Sequence, residues 1–201
     1  MAVRLTRVEQ VERNRNTVID AARRVFLSRG YAGATLEAIA EEAGFSKGVV
    51  YSQFESKADL FLALLQRRID ERAAENERIA ARRAGVGALH ALLDAAERDA
   101  RAEVGWMRVL VEFRGVALHD DALNRRYAAL HTQTVERLAD VLGRFRDHDG
   151  VPAAVTPRGM AEFILAIGSG ITLERSVNPD ALPASTLLPL VSRAFGLADS
   201  A

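Results

Sequence analysis

Residues 35–54 read TLEAIAEEAGFSKGVVYSQF. The spacing of their apolar residues predicts two short helices, over 35–43 and 47–54, joined by a tight turn. Gly44 is expected to end the first helix. The residues expected to pack this pair against a preceding helix are Leu36, Ile39, Ala40, Phe45, Val50 and Phe54.

The second helix of this pair is expected to expose a polar face. Ser46 is expected to cap it, and its first turn then combines the positive end of the helix dipole with a hydroxyl, a lysine and a glycine, groups suited to phosphates and base edges. Two short helices joined in this way match a DNA-binding helix-turn-helix. The residues on or near the exposed side are Ser46, Lys47, Gly48, Val49, Tyr51, Ser52 and Gln53. A well-capped surface helix without further function is the alternative interpretation.

Helix-capping signals continue on both sides of this stretch. Thr6 and Glu9 fit a capping box for a first helix that Gly30 is expected to end as a left-handed cap. Ser56, with an acidic residue three positions later, is expected to cap a fourth helix that reaches about Arg83. Five further helices are expected over about residues 88–102, 106–118, 121–146, 156–176 and 185–197, with a loop at 149–152.

The chain as a whole is predicted to be all-α. It is rich in alanine and arginine, which favour helices, and no segment alternates apolar and polar residues as a strand does. We expect an N-terminal three-helix domain with the helix-turn-helix, residues 1–60. The long fourth helix is expected to join it to a larger C-terminal helical domain, residues 61–201.

Composition excludes several classes of function. The 201 residues include no cysteine, so disulfides, thiolate metal sites and thiol nucleophiles are excluded. The four histidines have no metal-ligand spacing, and no glycine motif of a dinucleotide site is present, so we expect no metal, no cofactor and no enzymatic activity. A secretory signal and a membrane span are both missing from the sequence, which predicts a cytoplasmic protein without a membrane partner.

One longer stretch resembles a known family. Residues 21–65 read AARRVFLSRGYAGATLEAIAEEAGFSKGVVYSQFESKADLFLALL. This stretch is similar to the N-terminal domain of the TetR (tetracycline-repressor-like) family of bacterial transcription regulators, and the match extends over about residues 8–65 without a gap. The hallmarks are Phe26, Gly30, Thr35, Ile39, Ala40, Ala43, Gly44, Ser46, Lys47, Gly48, Tyr51, Phe54, Ser56, Lys57 and Leu60.

The resemblance implies a set of DNA contacts. Thr35 and Lys57 would hold phosphates on either side of a groove, and Tyr51 would give its hydroxyl to a phosphate, with Ser52 and Gln53 beside it. The residues implied to approach bases or phosphates are Ser46, Lys47, Gly48 and Val49. Family members often carry a larger aromatic or basic residue in place of Ser52, and Gln53 is therefore favoured over Ser52 as a DNA contact. The chain has 25 arginines and only two lysines, and both lysines fall at implied DNA contacts.

The net charge of zero hides an uneven distribution. Residues 1–30 hold seven arginines against three acidic residues, next to the implied recognition element. Arg4 and Arg7 could reach DNA from a flexible arm, and a frayed terminus without a role is the alternative. The acidic residues of the region are expected to face away from phosphates or to weaken binding: Glu37, Glu41, Glu42 and Glu55.

The resemblance also implies a homodimer built on the last two helices. Their apolar residues exceed what two helices of a solvated monomer need, although completion of the monomer core is the alternative. These residues are Phe163, Ile164, Ile167, Ile171, Leu173, Leu187, Leu188, Leu190, Val191 and Phe195. A two-fold dimer would place its recognition helices one DNA turn apart, about 34 Å, on a palindromic operator.

A pocket for a small hydrophobic or amphipathic effector inside the C-terminal domain is the last implication. Candidate lining residues are His90, Leu93, Trp106, Leu110, Phe113, Tyr127, His131, Met160 and Phe163, with ordinary core packing as the alternative for each. The expected function is therefore a ligand-responsive regulator, a repressor, that binds operator DNA until the effector occupies this pocket. A helical adaptor that binds only protein is the alternative function.

Overall fold

The computed structural model describes residues 6–83, 85–102, 105–146 and 155–195, and its regular structure within these ranges is helical throughout. The helices are α1 Arg7–Gly33, α2 Leu36–Ala43, α3 Lys47–Tyr51, α4 Lys57–Arg82, α5 Gly85–Ala102, α6 Trp106–Ala117, α7 Asp121–Arg146, α8 Pro157–Val177 and α9 Ala184–Ala194. This arrangement confirms the all-α prediction.

The first helix begins where the sequence predicts, but the prediction that it ends at Gly30 in a left-handed cap was wrong. The Thr6 hydroxyl accepts the Glu9 backbone N–H while the Glu9 carboxylate accepts the Thr6 backbone N–H, which completes the predicted capping box. Gly30 has φ 73° and ψ 174°, so it interrupts the helix, and one further turn then runs to Gly33. Arg7 is the first residue of α1 and so does not belong to a flexible arm, whereas Arg4 lies outside the described residues.

The described residues form two compact units. The first contains the chain up to Arg68 together with Arg108–Tyr127, and thus includes α1 to α3, the start of α4, α6 from its third residue, and the start of α7. Its core is a cluster of aromatic rings whose neighbouring centroids lie 4.4–5.7 Å apart. The cluster consists of Phe26, Tyr31, Phe61, Phe113 and Tyr127. Rings packed at these distances stabilise a core beyond their buried area.

A carboxylate from α6 closes the bend in α1. Glu112 accepts the backbone N–H groups of Tyr31 at 2.7 Å and Ala32 at 3.2 Å. These donors follow Gly30, where the kink removes the regular helical partners, so the carboxylate satisfies groups that would be costly to leave unpaired. The contact fixes α6 to the end of α1.

The second unit contains Ile69–Met107 and the described residues from Ala128 onward. Its core is formed by apolar side chains of α5, α7, α8 and α9: Ala88, Leu89, Leu92, Val135, Val141, Leu142, Met160, Ala161, Val191 and Phe195. Arg175 of α8 donates to both carboxylate oxygens of Glu97 of α5 at 2.9 Å, with less than a fifth of either side chain exposed. Both bonds come from one guanidinium nitrogen, Nη1, and this largely buried charged pair links the two helices.

Several helix ends differ from the sequence-based expectation. Helix α3 ends at Tyr51 rather than Phe54, although Phe54 N still donates to Val50 O at 3.0 Å, so a helical turn continues without counting as regular helix. Helix α5 begins at Gly85 rather than Ala88, because its two glycines adopt helical geometry instead of a break. The expected loop at 149–152 lies outside the described residues, and the boundary at residue 60 stays a prediction.

Candidate nucleic-acid interface

The helix-turn-helix is held by a glycine turn and three buried side chains. Gly44 has φ 71° and ψ 26°, and its N–H donates to carbonyl oxygens at the end of α2, as a left-handed cap requires. Ile39 and Val50 are fully buried and Phe54 is 3% exposed. Because these residues fix the inner face of the pair, the opposite face of α3 is directed to solvent.

The start of α3 presents mostly exposed groups. Ser46, Lys47 and Gly48 are exposed, and Val49 is half-buried. Ser46 occupies the N-cap position, but its hydroxyl makes no capping hydrogen bond, contrary to the expected cap. A Cβ placed on Gly48 would meet only the Ser46 hydroxyl oxygen, at 3.9 Å, so its backbone is open to close approach. The Ser46 hydroxyl, the Lys47 ammonium and the open backbone at Gly48 therefore lie together on one exposed surface.

The end of α3 combines exposed and partly enclosed side chains. Tyr51 is 49% exposed, and Ser52 is exposed with its hydroxyl donating to Val49 O at 2.9 Å. Gln53 is half-buried, and its side-chain oxygen is buried without a hydrogen-bond partner among the described residues. Arg15 of α1 donates to Gln53 O at 3.2 Å. The Gln53 amide is thus partly enclosed, and its role in reading bases stays a prediction.

The two expected phosphate-holding residues have internal partners. Thr35 is exposed and caps α2 by accepting the Ala38 N–H at 3.1 Å, as predicted. Lys57 donates to the carbonyl oxygens of Tyr31 at 2.7 Å and Ala32 at 3.3 Å, with its ammonium 4.6 Å from the centre of the Tyr31 ring. Burial lowers the pKa of Lys57, and the nearby Glu112 carboxylate opposes this shift. Lys57 therefore ties α4 to the end of α1.

One acidic side chain lies where the sequence did not place it. The Tyr51 hydroxyl donates to Glu37 Oε1 at 3.0 Å, and Lys47 Nζ lies 3.8 Å from the same oxygen. Of the two expected alternatives for Glu37, the structure does not support the one in which it faces away, because its position in the first turn of α2 brings it opposite α3, and weaker DNA binding stays a prediction. Hydrogen bonding to its own backbone N–H and to Tyr51 lowers the pKa of Glu37, and this bond raises the pKa of Tyr51.

The nine candidate effector contacts are divided between the two units. Leu110, Phe113 and Tyr127 belong to the first unit, where Phe113 is fully buried among the aromatic rings. The other six belong to the second unit: His90, Leu93, Trp106, His131, Met160 and Phe163. Of these six, Trp106 and Met160 are buried, whereas His131 and Phe163 are exposed.

A cleft in the second unit has a different lining. It encloses about 270 Å³ and is bordered by Glu75, Arg78, Ile79, Arg82, Arg83, Ala91, Asp94 and Arg98, none of which is among the nine candidates. The assignment of effector contacts therefore stays a prediction. The described residues bring together no group of three histidine or acidic side chains that could hold a metal ion.

The last two helices divide their apolar residues between core and surface. Ile171, Val191 and Phe195 are buried, which accounts for part of the apolar excess by core packing. Leu173 is 51% and Leu190 is 55% exposed. Cβ atoms built on the two glycines of α8, Gly168 and Gly170, would meet nothing within 4 Å.

Over the described ranges, none of the helices is long and apolar enough to cross a membrane.

Comparison with known proteins gives the family. The profile of bacterial regulatory proteins of the tetR family matches residues 18–64, and that of the C-terminal domain of BetI-type transcriptional repressors matches residues 81–196, more than half of the chain. The chain belongs to the TetR family. It is accordingly a DNA-binding transcriptional regulator and not an enzyme, and the alternative of an adaptor without DNA binding is not supported.

Named relatives agree with this assignment. The activator FasR of Mycolicibacterium smegmatis is 46% identical over 59 residues, 29% of this chain and 27% of FasR, so the chain spans about a quarter of that protein. The repressor AcnR of Corynebacterium diphtheriae is 29% identical over 144 residues, 69% of this chain and 71% of AcnR.

Solved structures agree on the fold. A TetR-family regulator from Rhodococcus sp. aligns with a TM-score of 0.73 at 20% identity, covering 91% of this chain and 96% of that one. The fatty acid degradation regulator FadR from Bacillus halodurans aligns with a TM-score of 0.72 at 18% identity, covering 92% and 95%.

Proposed function

We propose that this TetR-family chain is a ligand-responsive repressor that binds a palindromic operator as a homodimer. A small hydrophobic or amphipathic molecule in the C-terminal domain would release it from DNA. The observation that carries the proposal is the exposed start of α3 on a helix pair whose inner face is fully packed. Repression is supported by the BetI-type repressor profile over residues 81–196, whereas the similarity to the activator FasR covers only 59 residues.

The proposed contacts follow from the exposed groups. Lys47 and the Tyr51 hydroxyl would bind phosphates, and these contacts would position the first turn of α3 in the major groove. Ser46 and the open backbone at Gly48 would then lie against base edges or phosphates. Ser52 is exposed at the same surface and Val49 is half-buried beside it, whereas Gln53 is partly enclosed.

Dimerisation would use the exposed apolar residues of α8 and α9. Leu173 and Leu190 offer apolar surface that water covers in a monomer, and the glycines of α8 allow a second backbone to approach closely. A two-fold axis through this face would make the two recognition helices equivalent. The repressor would then read two half-sites about 34 Å apart.

Release by an effector would act through contacts at the end of α1. Lys57 at the start of α4 binds the Tyr31 and Ala32 carbonyls, and Glu112 of α6 binds the N–H groups of the same two residues. A ligand that favours another position of α4 or α6 would thereby displace α1 and the helices packed on it. A coupling free energy of about 1–3 kcal/mol between the sites is typical. We further propose that the protein acts in the cytoplasm, where its DNA target lies.

DNA binding by α3 is tested with Lys47→Met and Tyr51→Phe. Each variant removes one proposed phosphate contact without changing a buried residue, so helicity and oligomeric state should be unchanged. Affinity for duplex DNA should fall, and the salt dependence of Lys47→Met should flatten by about one counterion per recognition helix. Arg158→Met, which removes an exposed charge of α8, is the control and should bind like the wild type. Wild-type affinity in both α3 variants would refute the assignment.

A further inference from the structure

Two side chains of α3 lie beside one carboxylate at the surface proposed to meet DNA. Glu37 accepts the Tyr51 hydroxyl at 3.0 Å and has Lys47 Nζ at 3.8 Å. Its own backbone N–H at the start of α2 and the Thr35 hydroxyl also lower the pKa of its carboxyl, the backbone N–H having the larger effect. Its side chain is 43% exposed, so this arrangement lies at the surface and not in the core.

Each of these donors is one that a DNA phosphate would use. An ammonium, two hydroxyls and a backbone N–H at a helix N-terminus are the groups from which protein–phosphate contacts are made. A carboxylate has the same charge sign and the same acceptor geometry as a phosphate oxygen pair. The Glu37 carboxylate thus lies where these donors would bind a phosphate of the DNA backbone.

We infer that Glu37 is an internal competitor for the DNA phosphate and must give up Tyr51 and Lys47 when the duplex binds. The inference rests on the DNA contacts proposed above for these two residues. In the free protein Glu37 holds both side chains in place. In the complex, a DNA phosphate takes the place of the Glu37 carboxylate beside Tyr51 and Lys47, and the two negative charges then lie close together. Glu37 therefore lowers the affinity for duplex DNA of any sequence.

Neighbouring acidic residues separate this local effect from general charge repulsion. Glu41 lies one turn later on α2 and is exposed, so Glu41→Gln removes the same charge close by. Glu42 is less suitable because it pairs with Arg24 of α1. General repulsion predicts similar gains in affinity for Glu37→Gln and Glu41→Gln, whereas competition for donors predicts a gain for Glu37→Gln alone.

The test measures Kd for a random-sequence duplex and for a fragment selected by binding from random duplex DNA. Glu37→Gln should lower the Kd for both duplexes by about three-fold or more for each recognition helix. The reason is that the ion pair with Lys47 and the charged hydrogen bond from Tyr51 no longer compete with the DNA phosphate. Glu41→Gln should change Kd by less than about two-fold. Adding Tyr51→Phe and Lys47→Met should abolish the gain from Glu37→Gln, since the freed donors are then missing.

A second measurement needs no DNA. The Tyr51 pKa, followed by NMR of its ring carbons, should fall toward the ordinary tyrosine value in Glu37→Gln and stay unchanged in Glu41→Gln. An unchanged Tyr51 pKa in Glu37→Gln, equal gains in affinity for both variants, or weaker binding by Glu37→Gln would each overturn the inference. Wild-type DNA affinity in Lys47→Met and Tyr51→Phe would instead refute the proposed contacts, whatever the Tyr51 titration shows.

Discussion

Gly30 is the residue on which the first unit depends most closely. Its φ of 73° lies in the region that side-chain-bearing residues rarely adopt, and a Cβ there would lie 2.7 Å from Glu112 Oε2. The bend at Gly30 frees the N–H groups that Glu112 binds and the carbonyl groups that Lys57 binds. One glycine thus makes possible the contacts of both α4 and α6 with α1.

Gly30→Ala is therefore expected to destabilise the protein. The strained φ and the displaced Glu112 carboxylate should lower the free energy of unfolding by about 1–3 kcal/mol, measured by urea denaturation. Gly33→Ala is the matched control, since a Cβ there would meet only Arg29 Cβ at 3.5 Å, and alanine favours a helix by up to about 1 kcal/mol. Equal stability of the two variants would show that the bend carries no strain.

At single residues, the sequence predicted contacts within one helical turn but not contacts between helices. Helix caps at Thr6 and Thr35 were predictable, because a cap depends on residues within one turn. The Glu37–Tyr51 contact was not, because it depends on how α2 and α3 face each other across the turn. The internal bonds of Lys57 were missed for the same reason, since its partners lie on α1, about 26 positions earlier.

At the scale of helices, the sequence predicted the number and type of the secondary-structure elements better than it predicted which helices pack together. The helical periodicity and caps give each segment its own signal, so all described helices were expected. Packing of α6 into the first unit, with Phe113 inside the aromatic cluster, has no such local signal. Phe113 was consequently taken as a candidate effector contact, with core packing as the alternative that its complete burial favours.

Helices α8 and α9 are predicted to form the dimer interface. The double variant Leu173→Glu, Leu190→Glu places charges on two exposed apolar positions and should convert a dimer to a monomer in sedimentation equilibrium, without loss of helicity. Its affinity for operator DNA should fall more than about ten-fold because two linked half-site contacts become independent. Val116→Glu, at a 48% exposed position of α6, should leave the dimer intact. A double variant that stays dimeric would place the interface elsewhere.

At the scale of the whole molecule, the proposed repression requires that two copies of α3 meet one duplex. The family and the exposed groups of α3 support its proposed role in DNA binding, and the proposed dimer would supply the second copy. The net charge of zero means that attraction to DNA must come from local groups, such as Lys47, rather than from the overall field. Binding should therefore depend on the orientation of the dimer on the operator.

This requirement can be measured directly because the chain has no cysteine. Ser52→Cys, at an exposed position directly after α3, gives a unique thiol for an iron-chelate probe that cleaves nearby DNA. Ser176→Cys, exposed on α8, is the control. On a fragment selected by binding, the Ser52→Cys probe should cleave at two symmetric places about one turn, or about 34 Å, apart. Cleavage at a single place, or no more than with Ser176→Cys, would contradict the account.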